Sequence, residues 1–190
     1  MATTTWNLDT THTDVIFAAR HMMVTTVRGK FATVSGAIQL DPENPTASTG
    51  TFTIAAASLN TGVEQRDGHL RAADFFDVEN HPEITFVSTS VVARGDSDYA
   101  VTGDLTIRGT TRPVTLDVEY LGLYVSMGGA RRAGFHATTK INREDWGLTW
   151  NVGLETGGWL VSKDVTLEID LAVEEAATIV ADAAATSAAA

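Results

Sequence analysis

The stretch "YAVTGDLTIRGTTRPVTLDVEY", residues 99–120, decides how this chain folds. Tyr99, Val101, Gly103, Leu105 and Ile107 fall on one side of an extended chain, and Thr102, Asp104 and Thr106 on the other. That period of two marks a strand half buried against a core. The second half repeats the pattern, with Val114, Leu116, Val118 and Tyr120 opposite Thr115, Asp117 and Glu119. Between them "IRGTTRP" supplies turn residues, so the stretch predicts an antiparallel hairpin.

Outward from the hairpin the same period continues. "VTLEIDLAV", residues 165–173, sets Val165, Leu167, Ile169, Leu171 and Val173 against Thr166, Glu168 and Asp170. Weaker strand-length runs are "DVIFAARHMM", "RGKFATVSGAIQL", "STGTFTIAA", "EITFVSTSVVAR" and "GFHATTKI", parted by Gly, Pro, Asn and Asp clusters. The expectation is about eight strands, with 28–40 as one long strand in which Gly29 and Gly36 permit the bending that closure requires. No repeat of 20–50 residues is present and no crossover helices separate the strands. The fold class is all-β, a single antiparallel barrel or sandwich.

Two segments break the pattern. In "TGVEQRDGHLRAADFF" Thr61 and Glu64 have the spacing of a capping box, which predicts a helix beginning there. The tail "VEEAATIVADAAATSAAA" is alanine-rich and reads as a helical extension outside the domain, marginal by itself in water.

Composition narrows the function. At 190 residues and 44% hydrophobic content, the chain suits one domain that buries roughly 70% of its unfolded surface. With 13 Lys+Arg against 24 Asp+Glu, a net charge of −11 argues against nucleic acid, whose binding needs a basic face. No cysteine is present, which excludes disulfides and thiol chemistry and fits a reducing compartment. No apolar run reaches the ~18 residues of a membrane span, and "MATTTWNLDTTHTD" lacks the form of a secretory leader. The expected setting is cytoplasmic, with no stable membrane insertion.

The usual catalytic and cofactor signatures, phosphate-binding loops, dinucleotide fingerprints, zinc-protease helices and nucleophile elbows, are absent. His12, His21, His69, His81 and His136 are not spaced as a preformed ligand set, so no metal and no cofactor are expected. What stands out is the supply of large apolar residues across most strands. On the inferred inner faces large alternate with small: Phe17 with Ala19, Leu105 with Gly103, Phe135 with Ala137. An eight-stranded barrel is about wide enough either to fill itself or to hold one small ligand, and this alternation favours a cavity.

These residues carry a family resemblance. Through "WNLDTTHTDVIFAARHM", "VRGKF", "RDGHLRAADFFDVENHPEITFVS", "VTGDLTIRGTTRPVTL" and "INREDWG", the chain resembles the YceI-like, polyisoprenoid-binding proteins from about Trp6 to Val173. The resemblance implies an eight-stranded antiparallel lipocalin-like barrel with a short helix capping one end, an elongated apolar pocket for a polyisoprenoid or similar long-chain lipid, and homodimers. It places the barrel in 1–173 and leaves 174–190 as an extension. On this reading the helix is a lid, with Leu70, Phe75 and Phe76 inward and Arg66, Asp67 and Arg71 toward water or a head group. The expected lipid-chain contacts are Phe17, Ala19, Met23, Phe31, Phe52, Leu70, Phe75, Phe76, Phe86, Leu105, Ile107, Phe135 and Trp146. Arg66, His69 and His21 are expected near the entrance. The implied function is sequestration or carriage of a prenyl diphosphate or quinone-like lipid. Two readings stand beside it: an enzyme on an isoprenoid substrate, which needs a titratable pair facing the cavity, and a stress-related structural or interaction protein, which needs a filled barrel.

Overall fold

The 99–120 stretch forms the predicted hairpin. Strands β8 (Asp98–Ile107) and β9 (Thr110–Val125) pair antiparallel with Ile107 opposite Thr110, so Arg108 and Gly109 alone turn the chain. Their φ values are 49° and 72°, as in the two-residue turns whose twist matches the flanking strands. Arg108 does not simply point to water, because its guanidinium donates to the Gly147 carbonyl.

The computed structural model describes residues 3–155 and 157–176. Its other strands are β1 (Thr4–Leu8), β2 (Asp14–His21), β3 (Thr25–Phe31), β4 (Val34–Leu40), β5 (Thr49–Ala55), β6 (Leu59–Asn60), β7 (Glu83–Ala93), β10 (Arg131–Asn142) and β11 (Val161–Glu175). One helix, α1 (Glu64–Arg71), lies between β6 and β7. Strands β1-β4-β5-β7-β8-β9-β10-β11 form a ring that closes through pairing of β1 with β11. This is a closed eight-stranded antiparallel barrel. The remaining length of β11 pairs with β2, β2 with β3, and β6 extends the edge of β3.

Four sequence expectations change. The long strand over 28–40 is two strands, because at Ala32 and Thr33 the backbone turns aside to donate to the carbonyl and hydroxyl of Ser58. Strand β1 is not foreseen, since only Trp6 and Leu8 alternate within it. It is nonetheless the piece that closes the ring, with Trp6 fully buried beside Leu40, Ala133 and Val173. The capping box does not form: Val63 occupies the N-cap and no side chain caps the helix. Finally β11 runs to Glu175, held by pairing with Trp6. The alanine-rich tail from residue 177 lies outside the described residues.

A main cluster gathers at the α1 end, where Phe31, Leu59, Phe75, Ile107, Trp146 and Leu148 are buried together. Trp146 is anchored by its indole N–H, which donates to the Leu105 carbonyl at 3.0 Å. Large buried aromatic residues need such a partner for their polar atom.

Candidate functional site, an apolar cavity inside the barrel

The inward side chains of every long strand surround a cavity of about 290 Å³. By the period of two, β8 contributes Tyr99, Val101, Leu105 and Ile107, β9 Val114 to Tyr120, and β11 Val165 to Leu171, at alternate positions. At about 3.4 Å per residue, the eight steps from Tyr99 to Ile107 span roughly 27 Å. The cavity is therefore elongated along the barrel. Its volume is about twice the ~150 Å³ that holds a benzene molecule in an engineered core.

Two glycines keep it open. Phe17 faces Gly29 across the β2–β3 pair, and a Cβ on Gly29 would stand only 2.4 Å from the Phe17 ring edge. A Cβ on Gly103 would meet the Phe86 ring at 2.4 Å and the Val87 carbonyl at 2.7 Å. Each ring thus lies over a neighbouring strand's glycine, in space that any other residue would claim. The rings line the wall instead of filling the lumen. Gly29, read from the sequence as a softener of the sheet, acts here as a ring seat, as does Gly103, read as the small neighbour of Leu105.

At one end α1 and the turn after it form a plug. Leu70, Phe75 and Phe76 face the cavity, with Phe76 edge-on to Phe31 at 5.9 Å and Phe31 5.4 Å from Phe17. At the opposite end stand Pro42 and Pro45 of the β4–β5 connection, with Tyr99 and Tyr120. Burial, together with the Tyr99 phenol beside it, pushes the Tyr120 phenol above its usual range, so it is neutral at physiological pH.

Among the described residues Arg143 is the one with a cationic or carboxylate side chain in the lining, and sequence reading did not find it. It lies in the "INREDWG" turn and is buried. Its guanidinium donates to the Ser162 and Leu148 carbonyls and lies over the Phe75 ring at 5.9 Å, while Nη2 has no partner among the described residues. Burial holds its pKa below the usual arginine value, as expected for a charge removed from water. Only its place in a tight turn before Trp146 hinted at this role.

Of the residues expected to contact a lipid chain, Phe17, Ala19, Phe31, Phe52, Phe86 and Phe135 line the cavity from the strands. Leu105, Ile107, Leu70, Phe75, Phe76 and Trp146 line it near the plug. Met23 does not. It sits at the exposed β2–β3 turn with φ 63°. The expected entrance cluster does not assemble either. Arg66 turns back onto its own chain, donating from Nε to the Thr61 hydroxyl and from Nη2 to the Thr61 carbonyl. Asp67 is buried and accepts from the Thr61 N–H and hydroxyl, while Arg71 donates to the Ala57 and Leu59 carbonyls. These charges satisfy the backbone that leads into the helix, and Arg71, partly exposed, also pairs with Glu64, so they are not gathered at a head-group site. His69 pairs with Asp74 at 3.0 Å and packs against Trp150 and Phe75. His21, opposite Val161, is outside the lining. Among the described residues no three His, Cys, Asp or Glu side chains converge as metal ligands.

Comparison with known proteins agrees with this architecture. The model of the YceI-like domain matches residues 6–173. A UPF0312 protein of Staphylococcus aureus (strain MSSA476) is 39% identical over 166 residues, covering 87% of this chain and 94% of that one. The solved YCEI protein of Campylobacter jejuni superposes with a TM-score of 0.73 at 30% identity, covering 83% of this chain and 90% of that one. A polyisoprenoid-binding domain from Saccharophagus degradans, implicated in plant cell wall breakdown, matches with a TM-score of 0.67 over 90% of this chain and 98% of its own, at 19% identity, a likeness of fold. With an eight-stranded barrel, an apolar lumen and a family match over nearly the whole described chain, this protein belongs to the YceI-like family.

Proposed function

We propose that the protein binds and carries a single-chain, polyisoprenoid-type lipid within the barrel. The observation that carries this reading is the continuous apolar lumen, about 290 Å³ and several strand residues long, in which Arg143 is the only charged group among the described residues. A lumen of this kind rewards an extended hydrocarbon and offers little to a polar metabolite. Burial of roughly 500 Å² of lipid at ~25 cal/mol per Å² contributes about 12 kcal/mol, against roughly 4–15 kcal/mol of association costs, so micromolar binding is feasible. The Saccharophagus degradans domain, described as polyisoprenoid-binding, lends the choice of chain.

The two other readings fit less well. An enzyme needs paired titratable groups at the substrate, and the lining offers one buried arginine and two tyrosines, Tyr99 and Tyr120, instead. A purely structural barrel has no use for an unfilled lumen. The test is mass spectrometry of an organic extract of the purified full chain, followed by titration of the delipidated protein with a polyprenol. A stoichiometric isoprenoid in the extract, or saturable polyprenol binding, supports the reading. Absence of both overturns it.

A further inference from the structure

The α1 end of the barrel carries an exposed apolar patch that the cavity does not explain. Strands β2 and β3 are joined by a turn whose apolar residues, Met22, Met23 and Val24, are exposed, Met23 at 59%. Beside it, Val152 and Trp159 are exposed as well, Trp159 at 50%. Backbone bonds knit the two together: the Met22 N–H donates to the Leu160 carbonyl, and the Leu160 N–H to that of Val152, each at 2.8 Å. Trp159 pairs with Gly153, and a Cβ on Gly158 would stand 3.6 Å from Met23 Cγ.

The turn is chemically unusual. Met22 and Met23 have φ values of 51° and 63°, a left-handed pair that Asn-Gly suits and methionine does not. The β8–β9 turn of the same molecule meets this need with Gly109. Two methionines held in disfavoured backbone and turned to water satisfy neither turn chemistry nor solubility, and such outliers cluster at sites of function.

The flanking charges supply the second observation. On the outward face of the β2–β3 pair stand Arg20 and Arg28, diagonal neighbours, both exposed. Of the 13 Lys and Arg residues, these two alone have side chains with no hydrogen-bond, ion-pair or ring partner among the described residues; the side chains of the other eleven are tied to carboxylates or carbonyls. In a chain of net charge −11, the two unpaired arginine side chains beside the Met-Met-Val tip and Trp159 outnumber the one exposed carboxylate of the 152–159 connection, Glu155, so this patch is locally positive.

We propose that this end of the barrel docks on anionic lipid bilayers, with Met22, Met23, Val24 and Trp159 entering the interface and Arg20 and Arg28 meeting lipid phosphates. Tryptophan and arginine both favour that interface. The overall negative charge orients the molecule, since its acidic surfaces are repelled and this end is attracted. A second copy of the chain fits worse, because a two-fold contact across the tip would bring each Arg20 and Arg28 toward its symmetry mate. The docked end is also the plugged one. Trp150, from the same connection as Val152 and Trp159, packs on Phe75 at 5.4 Å and on His69 at 4.6 Å, so the patch adjoins the helix that separates the lumen from solvent. The proposal rests, for its purpose, on the reading of the protein as a lipid carrier: docking here places the plug where cargo is exchanged.

The test is flotation of the full chain with vesicles of phosphatidylcholine alone and with vesicles rich in phosphatidylglycerol. The wild type is expected to float with the anionic vesicles, and its tryptophan emission to shift to the blue. Met22→Asn/Met23→Gly suits the turn better than the native pair, so the variant stays folded while losing flotation. Arg20→Gln and Arg28→Gln each weaken anionic binding about fivefold and together about thirtyfold, from ~1 kcal/mol per charge. Wild type that floats with neither vesicle, or a Met22→Asn/Met23→Gly variant that floats as well as wild type, overturns the proposal. So does a dimeric wild type that this variant converts to monomer with vesicle binding unchanged. Extracting lipid from wild type and variant separates the two readings: flotation without any co-purified or titratable lipid refutes the carrier and leaves docking intact, whereas bound lipid without flotation refutes docking alone.

Discussion

Replacing Gly29 tests whether the lumen beside Phe17 is free space that a ligand uses. A Cβ at this position stands 2.4 Å from Phe17 Cζ and 2.7 Å from Thr61 Cγ2, so in Gly29→Ala the ring edge has to retreat by about 1 Å to ordinary contact. Both obstacles are side-chain ends, and Phe17 borders the cavity, so the ring swings into the lumen. Overpacking in a filled core costs about 1–3 kcal/mol. Here the ring has somewhere to go, and alanine recovers about 0.5–1 kcal/mol of backbone entropy over glycine in a strand. The net change in stability is therefore within about 1 kcal/mol, roughly 2–4 °C in thermal midpoint. Affinity changes more. Displacing about one methylene of bound lipid costs ~0.8 kcal/mol, about fourfold in Kd, and the three carbons of Gly29→Val cost about 2.4 kcal/mol, some fiftyfold. Differential scanning fluorimetry and polyprenol titration read the two quantities. A folded Gly29→Val with unchanged affinity would refute lumen occupancy beside Phe17. A collapse of the midpoint in Gly29→Ala would show that the space is not free.

Other substitutions probe the wall and the seams. Phe86→Asp places a carboxylate among Ile84, Leu105 and the lumen without a partner and should destabilise by about 3–5 kcal/mol; an unchanged thermal midpoint would mean that the side chain does not face inward. Arg143→Met removes the donors to the Leu148 and Ser162 carbonyls and should cost about 1–3 kcal/mol in chemical denaturation, with a gain in stability counting against their role in holding the turn. Asp9, bonded to Thr11 and His12, has its pKa lowered to about 2. Its contribution, up to about 2 kcal/mol, is complete above the ordinary carboxylate pKa and is lost as pH falls through about 2. Asp9→Asn should lower stability at neutral pH and flatten the stability curve between about pH 4 and 2; parallel curves for the two proteins would remove Asp9 as the cause.

Much of the architecture was legible in the sequence because strand alternation is local. Whether Leu105 and Ile107 face a core follows from their spacing, and the residue types at Phe17, Phe86 and Phe135 announced apolar faces without any knowledge of their neighbours. The apolar half of the candidate site could be read in the same way, since a side chain on the inner face of a closed barrel has only the lumen or another inner side chain to touch.

Charges were less legible, because a charge's fate depends on what the fold brings within hydrogen-bond reach. Arg66 and Arg71 looked free beside the helix, yet backbone carbonyls of the preceding segment capture them. Arg143 was not singled out in the sequence, and it is buried. Ring closure was likewise invisible: "TTWNL" is too short to alternate convincingly, and its value lies in the edges of β4 and β11 that it joins. The sequence alone determined an antiparallel all-β fold with an apolar interior, because side-chain direction along a strand is a property of the backbone. The tertiary structure decided where the barrel closes, how large the lumen is and which cations remain unpaired, because those depend on contacts between residues far apart in the chain.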